Sequence, residues 1–597
     1  MGLMQKACET YEANSAAIGR VTQAQGTLCP VGHILQNAQI EITLHAQGGF
    51  IDAKEVQKED SRTIIPATEK SASRTSGDEA HPLCDQLCYL CAEDQAKYDK
   101  YLAGLRLWAA SADGDPDIDA VLTYVESKTI LEDLISVGLL KPKDGSLTQC
   151  KIASTPYNKC LVRWIVDGRR TWQNQKLMEK YCNYVMKSAN APEDLCMISG
   201  ERGALCMSHD KGVIAAHNGA KLVSSNDSTN FTYRGRFTDP MQACTISAIA
   251  SQKAHRALQW VAATQGEVIG ERAFLCWNPQ GKRVVRPQNP FGKQDEPAPV
   301  QATPTAYSEA LRRTLDGFRN ELPQGAGVVI AVFDAATTGR LALTYYSEMT
   351  GNDFYDRVEN WYRSCCWPFG RFGLEAPPLR QIAECSFGIE RGSFIDVDSK
   401  VLRETMQRLL TCLLNGAHIP ADIVQQLFRN ASNPLHYRNT NNRIKVLCTA
   451  CAVIRKYRND QQNREEWTME LDERKNDRSY QFGRLLAVME MVERFTYDPE
   501  ETREPNAIRL QSMFIECPFH TAKVIENQLN PYFARTRPDL RSKYKERIGQ
   551  ILAMICQMPE NEWNRPLEDT YLMGYYLQRN AFYSKKDQNN NHKEDNP

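Results

Sequence analysis

The sequence carries almost no net charge: 72 lysines and arginines against 73 aspartates and glutamates give a net charge of −1. A chain without a global field is not drawn as a whole to nucleic acid or to a membrane, so any basic surface must be local. Long apolar runs are also missing. The longest, such as 446–454, are far shorter than the ~20 residues that a membrane-spanning helix needs. Because the N-terminal residues also lack the apolar core of a signal peptide, the sequence predicts a cytoplasmic protein that does not contact a membrane.

Common catalytic motifs are absent as well. The Gly-Lys pairs at 281–282 and 292–293 lack the upstream glycine and the following serine or threonine of a phosphate-binding loop. Neither a G-x-S-x-G elbow nor an H-E-x-x-H zinc motif occurs. The sequence therefore does not point to an enzyme, and it predicts no cofactor.

Twenty cysteines are spread over 597 residues without a secretion signal, which favours reduced and often buried thiols over disulfides. The densest group is His81, Cys84, Cys88 and Cys91. Four such side chains could hold Zn²⁺, but structural zinc sites bring together two ligand pairs from separate segments, and the spacing of these cysteines also suits one buried helix face. We therefore predict no metal site. The pair Cys448 and Cys451 lies in an apolar helical run, where packing is favoured over redox chemistry.

A chain of this length exceeds a single core and predicts several domains. The predicted fold class is α+β, with a mixed α/β N-terminal and middle region followed by an all-α helical bundle. The expected parts are an α/β domain (1–290), a middle α/β region with a strand pair (306–395), a helical bundle (399–584) and a disordered polar tail (585–597).

Two glycine-and-aromatic helix signatures mark the last quarter, at 480–490 and 571–579. In the first, apolar side chains recur at helical spacing, and Arg484, Glu490 and Arg494 take the other side. A glycine inside a helix costs about 1 kcal/mol relative to alanine, so one tolerated there usually lies close to another backbone. The pair predicts tightly packed helices.

Two segments of the helical region are locally basic. The first contains Arg438, Arg443, Lys445, Arg455, Lys456 and Arg458, and no acidic residue lies between them. The second contains Arg535, Arg537, Arg541, Lys543, Lys545 and Arg547, beside Asp539 and Glu546. Such runs are most often solvated helix faces. The alternative is a surface that follows the phosphates of a nucleic acid.

The glycine segments Tyr480-x-x-Gly483-Arg484-Leu485-Leu486-Ala487-Val488-x-Glu490 and Met573-Gly574-Tyr575-Tyr576-x-Gln578 resemble the C-terminal region of the large subunit of type I-C CRISPR effector (Cascade) complexes. Other pieces resemble this family in the same order. They are Leu83-Cys84-Asp85-x-x-x-Tyr89-Leu90, Ser199-Gly200-Glu201, His209 with Lys211-Gly212-Val213, Leu222-Val223-Ser224-x-Asn226, Cys276-Trp277, the strand pair at 327–346 and Trp361-Tyr362. The resemblance covers nearly the whole chain.

The resemblance implies a non-catalytic subunit of a crRNA-guided complex that contains backbone and crRNA-processing subunits. Such a subunit reads the protospacer-adjacent motif of double-stranded target DNA, helps to open the duplex, binds the displaced strand and helps to recruit a helicase-nuclease. This division of labour is physically reasonable, because pairing with the guide RNA reads the target sequence, while the protein reads only a short motif and binds the nucleic-acid backbones. The family's C-terminal region can also be made separately as a small subunit, here from about Met469.

On this resemblance, candidate motif-reading residues lie in two polar segments. The first group is Lys70, Arg74, Thr75 and Ser76, and the second is Lys211, Asn218, Lys221 and Asn226. Candidate contacts to strand backbones are Arg438, Arg443, Lys445, Arg455, Lys456, Arg458, Arg535, Arg537, Arg541 and Lys543.

Two alternative functions remain open from the residues alone. One is a metal-dependent nuclease or hydrolase that uses His209 and Asp210. The other is a helical scaffold protein that does not bind nucleic acid, for which the basic residues would be dispersed around the bundle.

Overall fold

The chain folds into two compact units in the computed structural model. The first comprises Met1–Val284 with Ala326–Met349, and the second comprises Val285–Gly325 with Thr350–Pro597. The structure describes residues 2–21, 26–72, 74, 78–143, 146–188, 191–224, 237, 243–292, 303–370, 373–461, 466–498 and 500–594, with the backbone alone at 336 and 584–594.

The first unit mixes helices and strands. Its helices are α1 (Leu3–Ala13), α2 (Glu69–Ala72), α3 (Leu87–Leu90), α4 (Gln95–Ala109), α5 (Pro116–Ser127), α6 (Ile130–Ser136), α7 (Gln175–Ser188) and α8 (Ala248–Gln265). Its strands are β1 (His33–Asn37), β2 (Ile40–Leu44), β3 (Phe50–Glu55), β4 (Arg62–Pro66), β5 (Lys151–Ile152), β6 (Thr155–Pro156), β7 (Val162–Val166), β8 (Arg169–Arg170), β9 (Glu193–Leu195), β10 (Arg202–Ala204), β11 (Glu267–Ile269), β12 (Arg272–Trp277), β13 (Gly327–Thr337) and β14 (Arg340–Thr350).

Two four-stranded sheets organise this unit. The first has the order β3-β2-β7-β8, with β2 and β7 parallel, and the second has the order β11-β12-β13-β14. Strand β2 is buried at Ile40, Ile42 and Leu44, and these side chains join a core that includes Trp108 and Trp164. The second sheet packs with α1 and α8 around a separate apolar cluster. Smaller antiparallel pairs, β1-β4, β5-β6 and β9-β10, lie outside these sheets.

The strand pair predicted for a middle region is present as β13 and β14, but it does not define a separate domain. Phe333 of β13 lies opposite Ala273 of β12, so the pair extends a sheet of the first unit. The helices expected beside it belong to the second unit. The chain therefore leaves and re-enters each unit, which a linear reading of the sequence cannot show.

The second unit is largely helical. Its helices are α9 (Pro304–Arg319), α10 (Gly351–Ser364), α11 (Leu379–Phe387), α12 (Ser399–Asn415), α13 (Ala421–Ala431), α14 (Thr440–Asp460), α15 (Arg478–Arg494), α16 (Asn506–Arg509), α17 (Gln511–Glu516), α18 (Pro518–Gln528), α19 (Asn530–Arg535), α20 (Pro538–Ile555) and α21 (Thr570–Glu594). Short antiparallel pairs are β15 (Trp367–Pro368) with β16 (Leu374–Glu375), and β17 (Ile389–Arg391) with β18 (Phe394–Asp396). The α+β class is confirmed, and α21 continues to Glu594, into the segment expected to be a disordered tail.

In the part of the chain that the structure describes, no helix is long and apolar enough to cross a membrane.

The two predicted glycine helices, α15 and α21, pack against each other at their glycines. A Cβ on Gly483 would overlap the carbonyl oxygen of Tyr571 and lie 2.8 Å from the amide nitrogen of Tyr575. A Cβ on Gly574 would overlap the carbonyl oxygen of Tyr480 and lie 3.0 Å from its Cα. Each glycine thus admits the backbone of the other helix, and the predicted close approach is confirmed.

The polar side predicted for α15 is not solvent-exposed. Every residue from Ser479 to Glu493 is buried, which makes α15 a central helix of the second unit. Glu490 lies 2.9 Å from Arg494 and 3.5 Å from Arg579, and it also accepts a hydrogen bond from the Tyr575 hydroxyl. Burial by itself raises the pKa of Glu490, but the two guanidinium groups outweigh it and lower that pKa. The charged residues are therefore internal partners, because a buried charge is tolerated only when it is paired.

The glycine crossing predicts a strong dependence of stability on residue size. We expect Gly483→Ala to lower the free energy of unfolding by about 3 kcal/mol or more, because the added methyl meets backbone that cannot move aside. The matched control is Gly549→Ala in α20, where no atom lies within 4 Å of the added Cβ. That control should gain about 1 kcal/mol from helix propensity. Urea unfolding of both variants provides the measurement. Equal unfolding midpoints for the two variants would contradict the close approach of the two helix backbones at Gly483.

Candidate functional site

The first unit contains an open cleft of about 1180 Å³ between β1, α2, α3, α8 and the loop at 210–219. Its basic lining residues are Arg62, Arg74, Lys97, Lys159, Lys211 and Arg256. Among the described lining residues only Asp210 is acidic. We call this the basic cleft. Its basic lining suits a polyanion better than a small apolar ligand.

Arg74 is fixed in the basic cleft by a fully buried carboxylate. Its Nη1 and Nη2 donate to the two oxygens of Asp85 at 3.0 and 2.7 Å. Asp85 also accepts the backbone N–H groups of His81 at 2.7 Å and Gln86 at 2.8 Å. Burial by itself lowers the pKa of Arg74, but the hydrogen bond and the charge of Asp85 outweigh burial and raise this pKa above its usual value. The guanidinium therefore stays charged.

Tyr89 provides an aromatic surface beside this guanidinium. The Arg74 guanidinium carbon lies 4.4 Å from the centre of the Tyr89 ring, and Lys97 Nζ lies 5.7 Å from it. Both cations are within the range of cation–π attraction. Tyr89 is 3% exposed, so its role in the cleft is to support Arg74 and Lys97.

The second predicted segment forms a turn at the same cleft. Lys211 and Lys221 are paired as an antiparallel bridge, and Gly212 adopts a φ of 73°, which favours glycine. Gln259 of α8 donates from Nε2 to the Lys211 carbonyl at 3.0 Å. Burial, together with the charge of Lys221, lowers the pKa of Lys211. Asn218, in the same turn, also lines the cleft.

The two segments that carry the predicted motif-reading residues are directly joined. The Glu69 carboxylate of α2 accepts the backbone N–H of Ser208, and Lys221 Nζ donates to the Ser208 hydroxyl at 2.9 Å. The structure therefore brings Arg74, Lys211 and Asn218 to one cleft. Lys70 and Lys221 belong to the same joined segments but are not lining residues. Thr75, Ser76 and Asn226 lie outside the described residues.

The candidate hydrolase residues have other partners. His209 Nδ1 lies 2.7 Å from the Ser251 hydroxyl, and Asp210 forms an ion pair with Arg256 at 3.2 Å. Burial lowers the pKa of His209 to about 4. In the cysteine group, His81 Nδ1 contacts the Ser71 hydroxyl at 2.9 Å. Within the residues that the structure describes, no group of three or more His, Cys, Asp or Glu side chains is arranged to hold a metal ion.

The basic run of α14 is engaged in packing the second unit. Arg455, which is 7% exposed, donates to the carbonyl oxygens of Ser364 at 2.7 Å and Cys366 at 3.0 Å. Lys456 is 8% exposed and forms an ion pair with Asp460 at 2.9 Å. Because both cations are buried and hydrogen-bonded inside the unit, we withdraw them from the candidate strand contacts.

Three other members of this run are also ion-paired. Arg458 forms ion pairs with Asp569 and Glu568, Arg443 lies 2.7 Å from Glu504, and Lys445 lies 3.1 Å from Glu384. Arg438 is exposed, although its backbone N–H donates to Glu390 at 2.6 Å. A basic run that lacks internal acids can thus be neutralised by acidic residues of other segments.

The run around α20 is different because its side chains reach the surface. Arg535 and Lys543 are exposed, and Arg537 is 74% exposed beside Asp539. Arg541 is partly buried and donates to the Thr536 carbonyl at 3.1 Å. This surface keeps its cations accessible, so it is the stronger candidate for binding phosphates.

Sequence reasoning did not select Lys97, Lys159 and Arg256 as cleft residues. They come from α4, from a short helical turn before β7, and from the middle of α8. No local motif connects them. Their common signal is tertiary, since only the folded unit brings the three residues into the lining of one cleft.

These features describe a protein with a basic cleft and a helical second unit. The profile of the protein family described as CRISPR-associated protein (Cas_Csd1) matches residues 8–583. The chain therefore belongs to the CRISPR-associated Csd1 family, and it is a large subunit of the type I-C Cascade effector complex. No curated protein matches the chain.

Proposed function

We propose that the basic cleft reads the protospacer-adjacent motif of double-stranded target DNA. The observation that carries this proposal is the convergence of Arg74, Lys211 and Asn218, from two distant segments, on one cleft. Arg74 and Arg256 are ion-paired there with Asp85 and Asp210, and the other basic lining residues are Arg62, Lys97, Lys159 and Lys211. Lysine and arginine supply affinity through phosphates, while asparagine and glutamine amides can discriminate base edges. Family membership supports a role within a nucleoprotein complex.

The proposed division of labour assigns phosphate binding to Lys159 and Lys211 and base recognition to Asn218. Arg74 is held by Asp85 and Tyr89, so its guanidinium has a fixed position at the wall of the cleft, with its charge balanced by Asp85. Pre-ordering reduces the entropy penalty of DNA binding. Binding there also aids duplex opening, since the protein then holds the DNA at the point where guide pairing begins.

We assign displaced-strand binding to the exposed cations at Arg535, Arg537 and Lys543. The subunit acts without catalysis of its own and helps to recruit the helicase-nuclease. The partners of His209 and Asp210 give no support to the alternative of a metal-dependent nuclease. The clustering of cations in one cleft gives no support to a scaffold without nucleic-acid binding.

A small subunit starting at Met469 would keep one part of the packing of the second unit and lose another. Met469 lies between α14 and α15, so a product from this start retains the crossing of Gly483 and Gly574. It does not contain α14, whose buried residues Cys448 and Val453 belong to the unit interior. The released face then needs cover from other subunits.

For motif reading, Asn218→Ala and Lys211→Ala should differ in effect. In the assembled crRNA-containing complex, Lys211→Ala should weaken binding of motif-bearing and motif-free duplexes alike, because a phosphate contact carries no sequence information. Asn218→Ala should reduce the difference in binding free energy between the motif-bearing and the motif-free duplex by about 1–3 kcal/mol. Lys176→Ala, at an exposed position of α7 outside the cleft, is the control. If both cleft variants bound the two duplexes with wild-type affinity at matched salt, the proposal that the cleft reads the motif would be rejected.

For strand binding, we expect Arg535→Ala with Lys543→Ala to reduce the salt dependence of single-strand affinity. The slope of log affinity against log salt should fall by about 0.7 for each phosphate that the variant no longer neutralises. Arg313→Ala is a matched control, because Arg313 is 78% exposed on α9 of the same unit. Filter binding over a salt series measures the slopes. An unchanged slope in the double variant would exclude this surface as a binding site for the displaced strand.

For the small subunit, intact mass spectrometry of the native complex should show a fragment that begins at Met469 beside the full chain. Met469→Leu should remove the fragment without changing the full-length product. A native complex that contains only the full chain would contradict this part of the proposal.

A further inference from the structure

A cavity of about 80 Å³ lies within the second unit, between α13, α14, α15, α16, α17 and α21. One water molecule needs only about 10–15 Å³ of such space, so the cavity has room for more than one water. Drug-sized ligands occupy pockets of about 300–1,000 Å³, so this cavity suits a small ion and not a larger organic molecule. The charged residues of its described lining are Arg443, Glu490, Arg494, Glu504 and Arg579. We call it the arginine cavity.

The charged residues of the arginine cavity form one continuous chain of ion pairs. Arg579 lies 3.5 Å from Glu490, and Glu490 lies 2.9 Å from Arg494. Arg494 also lies 3.5 Å from Glu504, which pairs with Arg443 at 2.7 Å. Three guanidinium groups thus share two carboxylates, and the described lining carries one positive charge in excess. A charge in a partly buried site needs a partner, so the excess favours an anion in the cavity.

Arg579 is the least engaged of the three arginines. Charge-assisted N–H···O bonds are about 2.7–2.9 Å long, so its pair with Glu490 is a long one. Its buried Nε has no hydrogen-bond partner, and in the described part of the chain Nη1 and Nη2 donate to no protein oxygen. Its guanidinium carbon lies 5.3 Å from the centre of the Tyr583 ring. The guanidinium of Arg579 is therefore open to a ligand oxygen.

Two buried neutral side chains complete the polar lining. Tyr437 is 2% exposed, and its hydroxyl has no hydrogen-bond partner among the residues that the structure describes. Gln511 is 1% exposed, and its Nε2 donates to the Tyr571 hydroxyl at 3.1 Å, which leaves its Oε1 as an acceptor without a partner. Unpaired polar groups in a buried site are costly. The lining therefore favours a ligand that can both accept and donate hydrogen bonds.

We propose that the arginine cavity binds one inorganic hydrogen phosphate ion. The oxygens of the ion accept hydrogen bonds from Arg579, Arg494 and the Tyr437 hydroxyl. Its hydroxyl group donates to Oε1 of Gln511. Guanidinium groups form strong, charge-assisted bonds to phosphate oxygens, which supplies the affinity.

The hydroxyl group of the ligand distinguishes phosphate from related anions. Sulfate has the same tetrahedral shape but carries no hydroxyl at neutral pH, so it leaves Gln511 unpaired. A phosphodiester of nucleic acid also lacks this hydroxyl, and its flanking sugars exceed the volume of the cavity. The arginine cavity is thus a site separate from the proposed DNA contacts.

The test is isothermal titration calorimetry of the folded full-length chain with sodium phosphate at neutral pH, with sodium chloride keeping the ionic strength constant. We expect one phosphate site per chain. Sulfate should bind about tenfold more weakly or less, because it leaves a buried acceptor without a partner. Phosphate should also raise the thermal unfolding midpoint more than sulfate does, since a ligand of the folded state stabilises that state.

Two variants assign the binding to this cavity. Tyr437→Phe removes a hydroxyl that no described residue uses, so the chain should fold normally and bind phosphate about tenfold more weakly. Arg579→Gln should abolish phosphate binding, because it removes the open guanidinium. The matched control is Tyr457→Phe in α14, at a half-buried tyrosine outside the cavity lining, which should bind phosphate like the parent.

A folded parent chain that binds no phosphate, or that binds phosphate and sulfate equally, would overturn the proposal and leave water as the occupant. Parent-like phosphate affinity in Tyr437→Phe would also overturn it, and this result does not require Arg579→Gln to fold. Because no nucleic acid is present in these measurements, their outcome is independent of whether the basic cleft reads DNA.

Discussion

The basic cleft depends on one buried carboxylate. Asp85 is fully buried and accepts four hydrogen bonds, two from the Arg74 guanidinium and one each from the N–H groups of His81 and Gln86. A charge in this position is stable only because it is paired and hydrogen-bonded. Its effect is to fold the segment at 79–86 around the arginine, which fixes the Arg74 guanidinium, as one half of an ion pair, at the cleft wall.

A different constraint shapes the second unit. Gly483 and Gly574 allow two helix backbones to meet, and α15 consequently becomes buried on all sides. Its charged residues must then find internal partners, and Glu490 does so with Arg494 and Arg579. The same principle explains α14, where the buried cations are hydrogen-bonded or ion-paired inside the unit. Surface cations remain at α20, so the position of a basic run in the packing matters more than its composition.

Local sequence patterns were sufficient to predict the helices and strands, but they could not predict how these elements pack together. The glycine helices, the β13–β14 pair and the helical C-terminal half follow from spacing and composition. Residue periodicity could not show that α15 is buried all round, because Arg484 and Glu490 look like surface residues until their partners are known. For the cleft, Arg74 and Lys211 were found from the sequence, whereas Lys159 and Arg256 required the tertiary fold. Long-range packing therefore decided which charged residues line the cleft.

The central claim is that motif-bearing duplex DNA lies in the basic cleft of the first unit. The most direct measurement is a cryo-electron microscopy structure of the assembled crRNA-containing complex with a target duplex that carries the motif. We expect duplex phosphates against Lys211 and Lys159, and a base edge within hydrogen-bonding distance of Asn218. A duplex bound to the complex with this cleft empty would contradict the claim.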